Sequence, residues 1–176
     1  MTLYFDHNAT APIRPEVIQK VAAVMGTVGN ASSIHVAGRA ARAHIETARE
    51  QVAAFVGAKA AQIIFNSGAT EGNNTVIRGY AGGRILVSAI EHPSVLEPAR
   101  AAGAELIPVL PSGIVDLDAL DQLIAAGPAP TLISVMMVNN ETGVIQPVAD
   151  IATRARACGA AFHVDGVQAA GKIPVN

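Results

Sequence analysis

Polar and apolar residues follow two different periods along this chain, and the switch between them predicts its elements. Ala40, Ile45, Ala48, Val52 and Phe55 recur near helical spacing, and Arg39, Arg42, Glu46, Arg49 and Glu50 are interleaved as a wet face. That helix follows the loop GNASS, with Ser32 or Ser33 as its cap, and ends near Gly57. An earlier helix starts with Pro15 in its first turn, runs to about Val24 and stops at Gly26. The opening LYF reads as a strand. After it and these two helices, short apolar runs alternate with helical segments. The strands are QIIFN, RILVSAI, AELIPVL, TLISVMMV and AAFHV, and the helices between them are TEGNNTVIRGYA, SVLEPARAAG, DLDALDQLIAAG and PVADIATRARACG. The strands are continuously apolar rather than alternating, as expected when helices cover both faces of a sheet. Short links between strand and helix imply right-handed crossovers and a mostly parallel sheet. The expected fold is α/β, a three-layer α/β/α sandwich, with residues 1–176 forming one domain.

Composition narrows the class. With 51% hydrophobic residues, 15% charged residues and a formal net charge of −2, the sequence describes a globular chain with a core. Basic residues are few and not gathered into a run, so no nucleic-acid partner is expected. The single cysteine, Cys158, excludes an internal disulfide framework and fits a reducing compartment. It closes a helix, where a small, partly buried side chain is the plainer reading than a nucleophile. No basic segment precedes an apolar one at the N-terminus, and no apolar run reaches membrane length. The expected location is cytoplasmic, with no membrane association.

In open parallel sheets, ligands sit beyond the carboxyl ends of the strands. Four of the five expected strand ends there carry polar side chains. NSGATEGNN passes from strand to helix through Gly68. Ala69 and Thr70 then offer backbone N–H groups at a helix start, with the Thr70 hydroxyl beside them, and such a site favours phosphate. Read alone, the same stretch is more plainly a helix cap by Ser67 or Thr70, with Glu71 easing the dipole. EHPS puts His92 directly after a strand, suited to stacking on a planar ligand or to moving a proton near neutral pH, although an incidental histidine is the plainer reading. NNETG is at least a turn. HVDGVQ ends a strand with Asp165. There, an ionised carboxylate is well placed to hold a protonated ring nitrogen, and such a ring draws electrons from a carbanion. His163 and Asp165 as metal ligands form a thin alternative, because no other histidine has matching spacing, so no metal site is expected. A phosphate cradle, a stacking histidine and a ring-nitrogen aspartate together describe a pyridoxal 5'-phosphate pocket.

The stretches YFDHNATAPIRPEV, IIFNSGATEGNN, EHPSVLEPA, VNNETGVIQPV and FHVDGVQAAGKIPV, in this order, resemble the N-terminal part of a cysteine desulfurase. Such enzymes are fold-type I pyridoxal-phosphate proteins of the class V aminotransferase group. The resemblance implies that Ala69 and Thr70 bind the cofactor phosphate and that His92 stacks on the ring and takes part in proton transfer. It also implies that Asp165 pairs with the pyridine nitrogen. The resemblance alone adds Asn140 beside ring and substrate, and Gln168 near the phenolic oxygen. Family members convert L-cysteine to L-alanine, leaving sulfur as an enzyme persulfide for iron–sulfur cluster and thio-cofactor synthesis. They hand it to a sulfur-acceptor or scaffold protein and work as homodimers.

The family's Schiff-base lysine, persulfide-forming cysteine and small C-terminal domain have no counterpart in this sequence. Lys20, Lys59, Lys172 and Cys158 do not stand in their contexts. These 176 residues are therefore expected to be inactive by themselves. Two alternatives are a selenocysteine lyase sharing the pocket and a non-catalytic fragment that pairs with a complementary chain.

Overall fold

The structure, a computed structural model, describes residues 3–175. The chain divides into two compact units, one of residues 66–174 and one of the residues up to 65 together with those after 174.

The larger unit is built on a sheet of four parallel strands. These are β1 (Ile85–Ser88), β2 (Glu105–Ile107), β3 (Leu132–Ser134) and β4 (Ala161–His163), in the order β2-β1-β3-β4. Helices α3 (Ala69–Gly79), α4 (Pro93–Ala101), α5 (Leu117–Ala125) and α6 (Val148–Cys158) alternate with them. Strand residues point to opposite faces in turn. Ile85, Val87 and Leu132 form one core with Ile77 of α3 and Val95 and Ala99 of α4. Leu86, Ile107 and Ile133 form the other with Leu120 of α5 and Ile151 and Ala155 of α6. The sheet is thus covered on both faces, which is the expected three-layer sandwich and explains the unbroken apolar runs.

Strand order reverses between β1 and β3. The chain steps from β1 outward to β2, crosses back to β3 and continues to β4. The opening at such a reversal is where side chains at strand ends converge.

In the other unit, α1 (Pro15–Met25) carries Pro15 at its first turn and ends at Gly26, as the sequence predicts. It buries none of its residues, and Val17, Ile18, Val21 and Met25 stay exposed. Helix α2 (Val36–Phe55) is capped by His35, whose Nδ1 accepts from the Gly38 N–H at 3.3 Å, and not by Ser32 or Ser33. Only glycine fits at 38, where a Cβ would stand 2.3 Å from the Ser33 carbonyl.

Two predicted strands are absent. Leu3–Phe5 has no regular structure, and QIIFN starts at the last residue of a 3-10 turn (Ala60–Gln62) and continues without regular structure. Both have strand-like composition, but a strand needs a neighbour to bond. No ladder reaches either segment among the described residues. Among those residues no helix is long and apolar enough to cross a membrane.

Candidate functional site

Gly68 opens the site. Its φ of 156° lies in a region that side-chain-bearing residues rarely adopt, and it lets the chain turn directly into α3. Neither Ser67 nor Thr70 caps the helix by its side chain; the cap position is Gly68 itself. Glu71 reaches back instead, its carboxylate accepting from the Ser67 N–H at 2.8 Å and hydroxyl at 2.5 Å. Those bonds hold its pKa below the usual carboxylate range. Asn66 Oδ1 accepts from the Gly68 N–H at 3.0 Å. The Ala69 and Thr70 N–H groups follow in the first turn, where an α-helix supplies no acceptor and its dipole favours an anion.

His92 ends the loop after β1 and caps α4. The backbone N–H of Ser94 donates to its Nδ1 at 3.1 Å, and Ser94 Oγ lies 2.8 Å from the same nitrogen. The imidazole remains exposed. Within α4, Pro98 has no N–H to give the Ser94 carbonyl one turn earlier. Asn74 of α3 uses that freed acceptor, donating to Ser94 O at 3.2 Å and to Thr70 O at 2.9 Å. A proline in one helix thereby frees the acceptor for the Asn74 bond that ties the phosphate-type turn to the histidine turn.

Asp165 lies just past β4 and is 8% exposed. The parallel ladder persists to it, for the Met137 N–H donates to the Asp165 carbonyl at 2.9 Å. Its carboxylate accepts from the Val167 N–H at 3.0 Å and from Asn73 Nδ2 at 2.8 Å. Asn73 Nδ2 also donates to Ser94 Oγ at 2.9 Å. One buried chain, Asp165–Asn73–Ser94, therefore runs out to His92. Thr70, His92 and Asp165, far apart in sequence, are joined through Asn73, Asn74 and Ser94.

Asn140 and Gln168 stand in the loops after β3 and β4. Asn140 donates to Glu141 Oε1 at 2.9 Å, and Gln168 Oε1 accepts from Lys172 Nζ. The neighbouring Asn139 shapes the first loop, its Oδ1 accepting from Glu141 N, Thr142 N and Thr142 Oγ1 and its Nδ2 donating to Ile90 O. His163 bonds sideways through Nδ1 to Ser134 Oγ at 2.8 Å, its in-register partner across β3 and β4. Burial pushes its pKa down, and the Asp165 charge partly offsets this.

Sequence reasoning missed Asn73, Ser94 and Glu91. A signal for Asn73 existed: it lies four residues before buried Ile77, so a polar side chain falls on the apolar stripe of α3 and needs a partner. Glu91 is 4% exposed; its Oε1 accepts from the Met136 N–H at 2.6 Å and from the Ser88 hydroxyl, while Oε2 is buried without a partner. Burial raises its pKa to about 7, against the lowering effect of those two bonds and with a further push from Asp165.

The family model for aminotransferase class-V matches residues 3–176, and the chain belongs to this family. It is 36% identical to an IscS-like cysteine desulfurase of Mycobacterium tuberculosis, covering 98% of this chain and 48% of the relative. It is 41% identical to the cysteine desulfurase IscS of Dictyoglomus turgidum, over 99% of this chain and 47% of the relative. The solved NifS-like protein of Rickettsia africae superposes with a TM-score of 0.94 at 39% identity, over 100% of this chain and 51% of the other. A structure described as SspA in complex with cysteine superposes with a TM-score of 0.91 at 31% identity, over 99% of this chain and 53% of the other. The chain thus spans about half the length of the relatives it matches. Pyridoxal phosphate is the cofactor of the family.

Proposed function

We propose that these residues form the cofactor-binding half of a pyridoxal-phosphate-dependent cysteine desulfurase, converting L-cysteine to L-alanine and passing on the sulfur. The observation that carries this reading is Asp165: a buried carboxylate at a strand end, held on both oxygens by N–H donors and joined by hydrogen bonds to a histidine turn. The donor set suits the cofactor, which requires an anion cradle, a flat contact and a carboxylate acceptor. Ala69 and Thr70 take the phosphate on backbone N–H groups and the Thr70 hydroxyl. His92 lies against the ring. Asp165 keeps a proton on the ring nitrogen, because an ionised carboxylate with two donors already fixed still has lone pairs to accept a third. Asn140 stands beside ring and substrate, and Gln168 donates to the phenolic oxygen. When bound, the cofactor supplies an electron sink for charge developing at the substrate's α-carbon.

Lys20, Lys59 and Lys172 do not occupy the family's anchoring context, so the 176 residues hold the cofactor non-covalently and turn over no cysteine. The complete enzyme works as a homodimer and delivers persulfide sulfur to an acceptor or iron–sulfur scaffold protein. Both units belong, in this reading, to the N-terminal part of the large domain.

Titration with pyridoxal phosphate followed by absorbance tests the proposal. The wild-type chain binds, and Asp165→Ala weakens binding by about 30-fold or more, as for removing one partner of a buried charge pair. Equal binding by the two proteins removes Asp165 from the ring nitrogen and the reading with it.

A further inference from the structure

The bonds joining Asp165 to His92 have only one consistent set of donor directions. Asp165 carries an acceptor-only carboxylate, so the Asn73 group facing Oδ2 at 2.8 Å is its NH2. The second hydrogen of that NH2 goes to Ser94 Oγ at 2.9 Å, making the serine oxygen an acceptor there. At the far end, the Ser94 backbone N–H points at His92 Nδ1, so Nδ1 presents a lone pair and not a proton. The Ser94 hydroxyl, 2.8 Å from that lone pair, donates to it. One Asn73 hydrogen thus goes to Asp165, the other points outward to Ser94, the Ser94 hydroxyl points on to the imidazole, and the imidazole proton stands on Nε2. Asn73 and Ser94 are 5% and 8% exposed, so water does not readily replace either link.

We propose that Asn73 and Ser94 are positioning residues that seal Nδ1 of His92 and leave Nε2–H as its one available edge. His92 then meets a bound planar ligand as a stacking ring that presents its Nε2–H edge. The ligand's identity rests on the pyridoxal-phosphate reading above; the bridge itself does not. A proton arriving at Nδ1 would face the Ser94 N–H, and the serine oxygen would have to turn while still receiving the Asn73 hydrogen. The same bonds tie the carboxylate at the strand end to the imidazole turn, so that neither moves alone.

The test is a long-range proton–nitrogen correlation spectrum of the 15N-labelled 176-residue chain without cofactor. At a pH of about 8.5 a free imidazole is neutral. Exposed His44 serves as internal reference, and His92→Gln assigns the signals. In the wild type, His92 shows a smaller Nδ1–H fraction than His44. Ser94→Ala raises that fraction about fivefold, the ratio that one neutral hydrogen bond commands. Asn73→Ala raises it less, and Ser94→Thr, which keeps the hydroxyl, restores it. A wild-type His92 with the tautomer mixture of His44 overturns the proposal even if every variant fails to fold. So does a folded Ser94→Ala chain whose His92 matches the wild type. Titrating the same samples with pyridoxal phosphate separates the two readings. A locked His92 in a chain that binds no cofactor upholds the bridge and sinks the cofactor reading; cofactor binding with an unlocked His92 does the reverse.

Discussion

Glu91 sits where a negative charge is hardest to keep. It is buried with one oxygen unpartnered, and burial lifts its pKa from the ordinary 4.5 to about 7. Between those values the folded protein holds a proton that the unfolded chain has released, so stability falls as pH rises. The contribution is fully present below about pH 4.5 and is lost through about pH 7, a span of about 3 kcal/mol. Glu91→Gln keeps the shape and an acceptor for the Met136 N–H but has nothing to titrate. Urea unfolding at pH 5 and pH 8 should show the wild type losing this increment and the variant not. Equal losses would refute a buried, neutral Glu91. At this scale, residues at strand ends were legible in the sequence: His92 and Asp165 close apolar runs, where a ligand is met. Asn73, Ser94 and Glu91 act through other side chains, and their partners lie as far as 92 positions apart. No local period reveals such pairings.

Arg84 and Glu105 show how elements are fastened at the opposite edge of the sheet. Arg84 precedes β1 and meets Glu105 of β2 in two bonds, at 2.6 and 3.1 Å, while also donating to the Leu123 and Pro128 carbonyls. The hydrogen bonds from Arg84 hold the Glu105 pKa below its usual range, so this stabilisation is present at neutral pH and fades in acid. Arg84→Met should cost about 1–3 kcal/mol by chemical unfolding, since two carbonyls lose a charged donor. The His92 tautomer should be unchanged; a shift there would mean that the two ends of the sheet are coupled. Helix ends are more legible in the sequence than strands. Pro15 and Gly26 bound α1 because caps are local chemistry, whereas TLISVMMV shrinks to Leu132–Ser134 as a strand and QIIFN forms none. Whether an apolar run becomes a strand depends on what lies beside it, which the run itself does not contain.

Over the whole molecule, a TM-score of 0.94 at 39% identity shows how much of the fold rests on pattern and how little on particular side chains. The same scale shows what stays uncovered: α1 presents Val17, Ile18, Val21 and Met25 to solvent. Pro98 shows the opposite tension. Pro98→Ala would give α4 back its missing hydrogen bond and a better helix former, so a rise of about 1 kcal/mol in stability is expected. The restored N–H would compete with Asn74 for the Ser94 carbonyl, loosening the turn that carries His92. Pyridoxal-phosphate affinity should fall in the same variant, and unchanged affinity would mean that Asn74 contributes nothing to the site. A laboratory selecting heat-resistant variants by melting temperature alone would keep Pro98→Ala and discard binding that its assay never recorded.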